Sequence, residues 1–296
     1  MSILTIFTCT YNRANLLSRT YASLCRQTCS RFEWLIVDDG STDGTRELAQ
    51  GWIDENKIKI SYLYKQNGGL HTGYNVAYRA INTELCMCVD SDDWLPEDSV
   101  ETILKVWGSA AASQYGGIVG LNIDQTGNLI GSRLPERLSS PYRHLYTKYK
   151  VTGDKKFVFR TDMMKQIPEF PEYSGEKCVP SGYKFIQIPD SKELLIINKP
   201  LCIIDYQASG MSAGIRKQYF KNPKGMAAGY EMSLRYAYGI KQQIKCSIGY
   251  VVFSLIAGNR YFLVSSPKPL STLIFFPVGL AGYIYVLAKW GKYKIT

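Results

Sequence analysis

The sequence predicts an α/β protein with a mostly parallel central sheet flanked by helices. Over residues 1–122, short β-rich apolar runs alternate with segments whose apolar residues recur at helical spacing. Polar segments rich in Asp, Asn or Gly directly follow those runs, which is typical of strands that end at a binding edge. Apolar residues make up 46% and aromatic residues 13% of the 296-residue chain, enough for a large core. Strands separated by helices imply right-handed crossovers and parallel neighbours.

The predicted elements follow one another in a regular order. The strands are expected at residues 3–8, 32–37, 59–64, 85–89 and 117–122, and the helices at 13–27, 43 to about 52, 72–81 and from 96 onward. Tyr21 and Leu24 lie on the apolar face of the first helix. Asp43 or Thr42 can cap the second helix. Pro96, followed by two acids, opens the fourth helix as Pro and acids do in a first turn.

The rest of the chain differs in texture and charge. Residues 123–215 are less regular, with strands predicted at 157–160 and 201–206 between proline-rich loops. Residues 216–296 read as a basic, aromatic helical extension, so we expect one domain over 1–215 and an appendage after it. The extension holds twelve Lys or Arg and a single acid, Glu231, whereas the preceding residues are nearly neutral. This asymmetry favours an anionic membrane surface over nucleic acid as a partner.

The eight cysteines are predicted to be reduced and structural. The closest pairs, Cys25/Cys29 and Cys86/Cys88, lack the two-residue gap of a zinc knuckle, and the chain has only two histidines. Most of the cysteines lie in apolar runs, where a thiol packs as a small core residue. The N-terminus has no basic region and too short an apolar stretch for a signal peptide. These features predict a cytoplasmic compartment.

The acidic cluster Asp90-Ser91-Asp92-Asp93 is the sharpest chemical signal. Three carboxylates within four residues repel one another, and a hard divalent cation with oxygen ligands compensates for that repulsion. Mn²⁺ or Mg²⁺ uses one or two carboxylates together with phosphate oxygens, which suits the cluster at the end of an apolar strand. The alternative is that the acids cap the helix that begins near Pro96, a role that Asp93 can share.

Three other polar segments follow strands and should reach the same edge of the sheet. Thr10-Tyr11-Asn12-Arg13 offers an aromatic face for a base and a cation for a phosphate, or else a simple helix cap. Asp38–Gly44 is either a nucleotide-binding turn or an ordinary turn with a cap. Asn67-Gly68-Gly69 permits close approach of a ligand, or only turns the chain. His71 reads as a surface histidine rather than a ligand.

Taken together, these segments resemble the donor half of family 2 glycosyltransferases with the GT-A, or nucleotide-diphospho-sugar transferase, fold. The resemblance is carried by four motifs: Thr8-Cys-Thr-Tyr-Asn-Arg13, Val37-Asp-Asp-Gly-Ser-Thr-Asp-Gly44, Asn67-Gly-Gly69 and Val89-Asp-Ser-Asp-Asp93. Their order and spacing agree with the family as well. The likeness is strong over 1–122, the expected nucleotide-sugar half, and looser over 123–215, the expected acceptor half. It implies a UDP-sugar donor and inversion at the anomeric carbon.

The resemblance also implies roles for individual residues. Asp39 would contact the base, and Tyr11 and Arg13 would line the nucleoside pocket. Asp90 would approach the ribose and Asp92 would ligate the metal. The remaining residues that we expect to contact the nucleotide-sugar are Thr10, Asn67, Gly68 and Ser91.

An inverting transfer needs a base for the acceptor hydroxyl, and Glu176 is the predicted base. The family commonly has a Glu-Asp pair here, but this chain has Lys177 in place of the Asp. The alternative is a surface turn with an incidental charge pair. The stretch resembles a bacterial subgroup that builds capsule or lipopolysaccharide chains and has a Gly-Glu-Lys segment at this point. We also expect a loop near the site at residues 210–212.

The predicted function is therefore metal-dependent transfer of a sugar to an acceptor hydroxyl, such as that of a lipid-linked saccharide at the cytoplasmic face of the cell membrane. The non-enzymatic alternative is a degenerate nucleotide-sugar-binding scaffold without turnover. A nucleotide-sugar-forming nucleotidyltransferase is a further alternative, but such enzymes begin with a Gly-rich basic loop that Thr10–Asn15 does not provide.

The segment 269–288 carries no charge and is bracketed by Lys268 and Lys289. Its length approaches that of a membrane span, but Pro277, Gly279 and Gly282 interrupt it. We expect a broken or re-entrant helical segment at the cytoplasmic leaflet. A true span is the second reading, and a helical pair packed on the catalytic domain is the third.

Overall fold

A computed structural model describes residues 2–109, 111, 114–206 and 215–290 of the chain, so the expected loop at 210–212 lies outside the described residues. The chain forms two compact units. The first comprises residues 1–168 and 188–207, and the second comprises 169–187 and 208–296. The boundary differs from the one expected at residue 215, because the segment 169–187 packs with the helical extension.

The first unit is built on one eight-stranded mixed sheet. Its strands are β1 (Leu4–Thr10), β2 (Phe32–Asp38), β3 (Ile60–Tyr64), β4 (Leu85–Cys88), β5 (Gly117–Asp124), β6 (Ser139–Ser140), β7 (Lys155–Arg160) and β8 (Leu194–Ile204). Their spatial order is β3-β2-β1-β4-β7-β5-β8-β6. The first four strands are parallel, as expected, and β5 also runs parallel to β8. Strand β7 lies antiparallel between β4 and β5, which the sequence pattern did not predict.

Helices cover both faces of this sheet. They are α1 (Ala14–Cys25), α2 (Thr45–Glu55), α3 (Leu70–Ala80), α4 (Ser99–Ser109), α5 (Tyr142–Thr147) and α6 (Thr161–Gln166). On one face, Tyr21 of α1 stacks on Trp52 of α2 with ring centroids 4.5 Å apart, within a core that includes Trp34. On the other face, Phe7 packs edge-on against Tyr74 of α3. Alternate residues of β1 therefore enter opposite layers, as strand geometry requires.

The second unit is helical. Its elements are α7 (Gly182–Phe185), α8 (Ile215–Lys221), α9 (Pro223–Arg235), α10 (Gly239–Ile256), α11 (Pro269–Ile274) and α12 (Phe276–Trp290). Glycines allow the helices to approach closely. A Cβ at Gly279 of α12 would lie 2.5 Å from Val251 of α10, and one at Gly249 would lie 2.2 Å from the Tyr230 ring. The core of this unit includes Phe253, whose ring stacks on that of Tyr230.

The uncharged segment 269–288 is broken into two helices, α11 and α12, with Phe275 between them. The expectation of a broken helix is confirmed. Across the described ranges, no helix has both the length and the apolar character needed to cross a bilayer.

Candidate active site

The polar segments after β1, β2, β3 and β4 meet at the carboxyl edge of the sheet, as the parallel arrangement predicts. We call these segments, residues 10–13, 38–44, 67–69 and 90–93, the donor edge. Side chains connect them directly. The Asn12 side-chain oxygen accepts the Thr42 N–H at 2.8 Å, and Asp43 accepts the Ala14 N–H at 3.0 Å. Arg13 donates to the Asp92 carboxylate at 3.0 Å.

Asp39 organises one half of the donor edge. Its Oδ1 accepts hydrogen bonds from the Lys65 ammonium at 2.5 Å and the Gly68 N–H at 2.9 Å, and its Oδ2 accepts the Gly69 N–H at 2.7 Å. Asn67 donates to the Asp39 carbonyl. Gly40 has a φ of +88°, and a Cβ there would meet the Asn67 nitrogen at 2.9 Å. Glycine is therefore required at this turn on both counts.

The neighbouring Asp38 has a different, structural task. It accepts the Ser41 N–H at 2.7 Å and the Tyr62 hydroxyl at 2.5 Å, so it closes the turn and ties β2 to β3. Burial, followed by the Asp38 carboxylate, raises the pKa of Tyr62 above its usual value. Of the two acids, Asp39 faces the glycine loop and Asp38 holds the turn. Asp38 therefore accounts for the structural reading of this motif.

Two buried polar atoms of the donor edge make no hydrogen bond. They are Oγ1 of Thr10, at the end of β1, and Oδ1 of Asn67. A buried acceptor or hydroxyl without a partner costs free energy, so a ligand or water commonly satisfies such an atom. Similar atoms occur away from this edge, for example Oγ of Ser99 and of Ser254, so these two are compatible with a ligand site and do not identify it alone. Tyr11, which follows Thr10 in the chain, has 49% of its surface exposed. An aromatic face and two unsatisfied polar atoms are therefore available at the edge.

The acidic cluster forms the other half of the donor edge. Asp90 is exposed, Asp92 is half-buried against Arg13, and Ser91 and Asp93 are buried. Asp93 accepts the Asp205 N–H at 3.4 Å, and its carboxylate lies 3.8 Å from the Lys156 ammonium. Among its described contacts, none is with the amino end of α4. Asp93 therefore supports the floor of the cluster rather than capping that helix.

Lys156 of β7 is a buried cation beneath the acidic cluster. Its ammonium donates to the Cys88 carbonyl at 3.2 Å. Burial alone would lower the pKa of Lys156, but Cys202, Asp93 and Asp90 raise it overall. The side chain therefore remains charged. The attraction between Lys156 and Asp93 offsets part of the cost of desolvating both groups. Lys156 therefore compensates part of the negative charge that the cluster accumulates.

Asp93 and Asp90 hold their protons more tightly than isolated carboxylates do. Burial, opposed by Lys156, raises the pKa of Asp93 to about 7, and the charges of Asp90 and Asp92 contribute to that rise. Asp90 has exposed surface at the edge of the cluster, but the protein atoms packed around it still reduce its solvation, which raises its pKa against the effect of Lys156, with Asp92 adding to the rise. Repulsion between the carboxylates is thus the smaller contribution after burial, and it is the one that a bound cation relieves.

The donor set fits a hard divalent cation only if a ligand completes it. Among the described residues, no three His, Cys, Asp or Glu side chains come together as a ready metal site. Asp93 is turned toward Lys156, which leaves Asp92 and Asp90 as carboxylates near the surface. Mg²⁺ and Mn²⁺ bound through one or two carboxylates take their other ligands from water and substrate phosphates. The residues therefore suit a cation shared with a diphosphate.

Sequence reasoning missed several residues of this edge. Lys65 directly follows β3, and Asp205 directly follows β8, where it pairs with Arg19 at 2.7 Å. The rule that binding groups follow parallel strands could have identified both. Lys156 had no such signal, because a lysine near the start of a strand ordinarily faces solvent. His71 was expected at the surface, but it is buried, with 3% of its surface exposed.

Glu176 belongs to the second unit, where its carboxylate binds the amino end of α9. Oε1 accepts the Lys224 N–H at 3.0 Å and Oε2 accepts the Gly225 N–H at 2.8 Å. Gly225 permits this approach, since a Cβ there would lie 2.1 Å from the Cys178 carbonyl oxygen. The Lys177 N–H is bound by the Asn222 side chain at 2.6 Å. The carboxylate is thus held in a fixed orientation by two backbone donors at the positive end of a helix.

Comparison with known proteins identifies the class. Residues 5–167, more than half of the chain, match Glycosyl transferase family 2. The chain belongs to this family, and the resemblance inferred from its motifs is confirmed.

The chain also matches individual proteins over part of its length. It is 33% identical to Glycosyltransferase GlyA of Streptococcus pneumoniae over 102 residues, which are 34% of this chain and 14% of that protein. It is 30% identical to chondroitin synthase of Escherichia coli over 130 residues, or 44% of this chain and 19% of that protein. The chain spans less than a third of the length of such relatives.

Solved structures of glycosyltransferases share the fold. S. aureus TarS, residues 1–349 in complex with UDP-GlcNAc, superposes with a TM-score of 0.60 at 18% identity, covering 97% of this chain and 81% of that one. The mannosyltransferase PcManGT of Pyrobaculum calidifontis, in complex with GDP-Man and Mn²⁺, gives a TM-score of 0.55 at 15% identity, covering 99% and 81%. The predicted GT-A fold is confirmed.

Proposed function

We propose that this chain transfers a sugar from a UDP-sugar to a hydroxyl group of a saccharide acceptor, by metal-dependent inverting displacement, in bacterial surface polysaccharide synthesis. The observation that carries the proposal is the donor edge, where a buried Asp with a glycine loop and an acidic cluster meet at the ends of parallel strands. Family membership supports sugar transfer as the reaction. The relatives named for polysaccharide synthesis support the pathway class.

Asp39 is the residue that we assign to the uracil base. An ionised carboxylate offers about four acceptor positions, and three of those of Asp39 are used by Lys65, Gly68 and Gly69. The remaining position can accept the imino N–H of uracil, which cytosine lacks. Tyr11 supplies an aromatic face for the same base. Thr10 and Asn67 have unsatisfied oxygens that can receive polar groups of the nucleoside.

The diphosphate is assigned to the acidic cluster and Arg13. Asp92, with Asp90 and Ser91 beside it, would hold Mn²⁺ or Mg²⁺, which neutralises charge on the departing diphosphate when bound. Arg13 is already at Asp92, so its guanidinium can turn to a phosphate oxygen when the donor arrives. Lys156 stays beneath the cluster and keeps its net charge low enough for folding without a ligand. Asp90 is assigned to the ribose.

Glu176 is the proposed base for the acceptor hydroxyl. Each of its oxygens accepts one backbone N–H and retains a further lone pair for an acceptor proton. The two N–H groups also fix the direction of the carboxylate, which a base requires. The acceptor is proposed to be a lipid-linked saccharide at the cytoplasmic membrane surface, reached through the basic extension.

Release of nucleoside diphosphate from a panel of nucleotide-sugars tests the proposal. UDP- and GDP-linked hexoses and N-acetylhexosamines are incubated with Mn²⁺, with Mg²⁺ and with EDTA. We expect metal-dependent UDP release from one UDP-sugar. Calorimetric titration with UDP and CDP accompanies the panel, and we expect the uracil nucleotide to bind at least about tenfold more tightly, since one buried hydrogen bond separates them. Failure of UDP to bind with either metal would contradict the assignment, and binding without turnover on any saccharide acceptor would favour a scaffold.

A further inference from the structure

The solvent-facing side of α11 and α12 is apolar. Its exposed residues recur at intervals of three and four, so within each helix they lie on one side. We call this set the apolar stripe; it consists of Leu270, Leu273, Ile274, Pro277, Val278, Ala281, Ile284, Tyr285 and Ala288. An ordinary surface helix shows the opposite pattern, with its polar face outward. Exposed apolar patches of this extent mark an interaction surface.

The large side chains of the stripe are strongly exposed. Leu270 has 78%, Ile274 68% and Leu273 57% of its surface accessible, and Ile284 has 58%. The opposite side of α12 is already occupied, because Gly279 and Gly282 lie against Val251 and Val252 of α10. Polar groups of α11 are turned inward, where Ser271 bonds Ser247 at 2.8 Å. The stripe is thus a built feature of the unit, held outward by the packing of the other face.

The charges around the stripe identify the kind of partner. No charged residue interrupts it between Lys268 and Lys289, and Tyr285 accepts a hydrogen bond from Lys289 at 2.9 Å. Over residues 216–296 the single acid, Glu231, is paired with Arg235 at 3.3 Å. A second copy of this chain would bring the same positive charge to the contact, so like charges oppose self-association. An anionic lipid surface is complementary to both the apolar side chains and the cations.

The dimensions favour lying on a bilayer over crossing it. Helix α12 has 15 residues. At about 1.5 Å per residue this is about 22 Å, short of a hydrocarbon core of about 30 Å. Tyr285 lies near the carboxyl end of the stripe, and tyrosine is typical of side chains at the headgroup level.

We propose that the apolar stripe docks on the surface of an anionic membrane, with α11 and α12 parallel to it. The inference gives the proposed lipid-linked acceptor a physical location and rests on the proposed function only in that respect. Docking itself needs no donor, metal or turnover.

Vesicle co-sedimentation tests the proposal on the whole chain. Vesicles of phosphatidylcholine with and without phosphatidylglycerol are compared, for wild type and for Leu273→Glu, Ile284→Glu and the double variant. The matched control is Leu138→Glu in the first unit, where a leucine of 69% exposure lies outside the stripe. We expect wild type and Leu138→Glu to bind anionic vesicles alike. Each stripe variant should bind at least about tenfold more weakly, because it replaces inserted apolar surface by a charge.

Other outcomes overturn the inference. Wild type that stays in the supernatant with anionic vesicles, or stripe variants that sediment as wild type does, would exclude membrane docking. Sedimentation velocity gives the competing answer: concentration-dependent dimers that only the stripe variants abolish would make the stripe a self-interface. UDP titration of every variant separates this test from that of the proposed function. UDP binding without vesicle binding refutes docking alone, and vesicle binding without UDP binding refutes the donor assignment alone.

Discussion

The donor edge and the apolar stripe present opposite kinds of side chain at the protein surface. At the donor edge, charged and polar groups are concentrated, partly buried and paired with one another, as Asp39 is with Lys65 and Asp92 with Arg13. Along the stripe, apolar groups face outward while hydroxyls such as that of Ser271 are turned inward. A compact polar site suits a small, charged ligand that fits between strands. An extended apolar face suits a partner that is large, flat and non-directional.

This contrast indicates that specificity for the nucleotide should arise at the donor edge and affinity for a surface at the stripe. Changes at the donor edge should alter nucleotide binding and turnover and leave vesicle binding unchanged. Changes at the stripe should do the reverse. The following substitutions test that separation, beginning with the largest expected effect.

Asp92→Asn should produce the largest loss. The variant removes a negative charge from the proposed cation site and frees Arg13, so we expect turnover to fall about 1,000-fold, corresponding to several kcal/mol of lost charge stabilisation. Titration of Mn²⁺ in the presence of UDP should show weakened binding, which gives a readout independent of activity. Asp54→Asn on the exposed face of α2 is the matched control and should behave as wild type. Near-normal Mn²⁺ binding by Asp92→Asn would remove the metal assignment.

Glu176→Gln tests a residue of the second unit that is assigned to chemistry. If Glu176 is the general base, its replacement by Gln should lower turnover about 100-fold and remove the acidic limb of the pH–rate profile. As a helix cap alone, it should cost about 1 kcal/mol of stability and leave the pH profile unchanged. The variant retains one side-chain oxygen for the Lys224 or Gly225 N–H. Turnover, the pH profile and the unfolding midpoint, measured together, distinguish a base from a positioning cap.

Vesicle binding of Asp92→Asn and Glu176→Gln sharpens the comparison between the two regions. Neither residue is part of the stripe, so both variants should sediment with anionic vesicles as wild type does. A loss of vesicle binding in either variant would show that the donor edge and the stripe are not independent.

The sequence predicted the parts of this molecule that obey local rules. Residues 32–37 form an apolar run that is followed by an acidic segment of turn residues. The strand and this segment lie where expected. The carboxyl ends of parallel strands share an edge, so the convergence of Arg13 with Asp92 followed from topology. The arrangement of the first four strands was therefore predictable from local patterns, whereas the position of β5 depends on its pairing with β7 and β8.

Other features depend on partners far along the chain. Lys156 meets the carbonyl of Cys88 across 68 positions, because β7 inserts antiparallel beside β4. Glu176 meets Lys224 across 48 positions. No periodicity or spacing within a window of the sequence encodes these contacts. The outward side of α12 was hidden for a different reason, since a helix apolar on all sides does not reveal which side packs.

Asp43→Asn should give the smallest effect, confined to stability and to a defined range of pH. Hydrogen bonds from Thr45 and Ala14 outweigh burial and lower the pKa of Asp43 below its usual value of 3.8. A carboxylate whose pKa is lower when folded stabilises the folded state above the unfolded value, and that contribution is lost as the pH falls through the folded value. Asp43 is solvent-exposed, so screening keeps the effect below about 1 kcal/mol at pH 7. Urea unfolding, followed by tryptophan fluorescence of the first unit, should show wild type more stable than Asp43→Asn at pH 7, with the two curves converging below pH 3.8. Equal stability at pH 7 would mean that the hydrogen bond from the Ala14 N–H does not depend on this charge, and that other contacts, such as that of Asn12 with the Thr42 N–H, suffice to hold the donor edge.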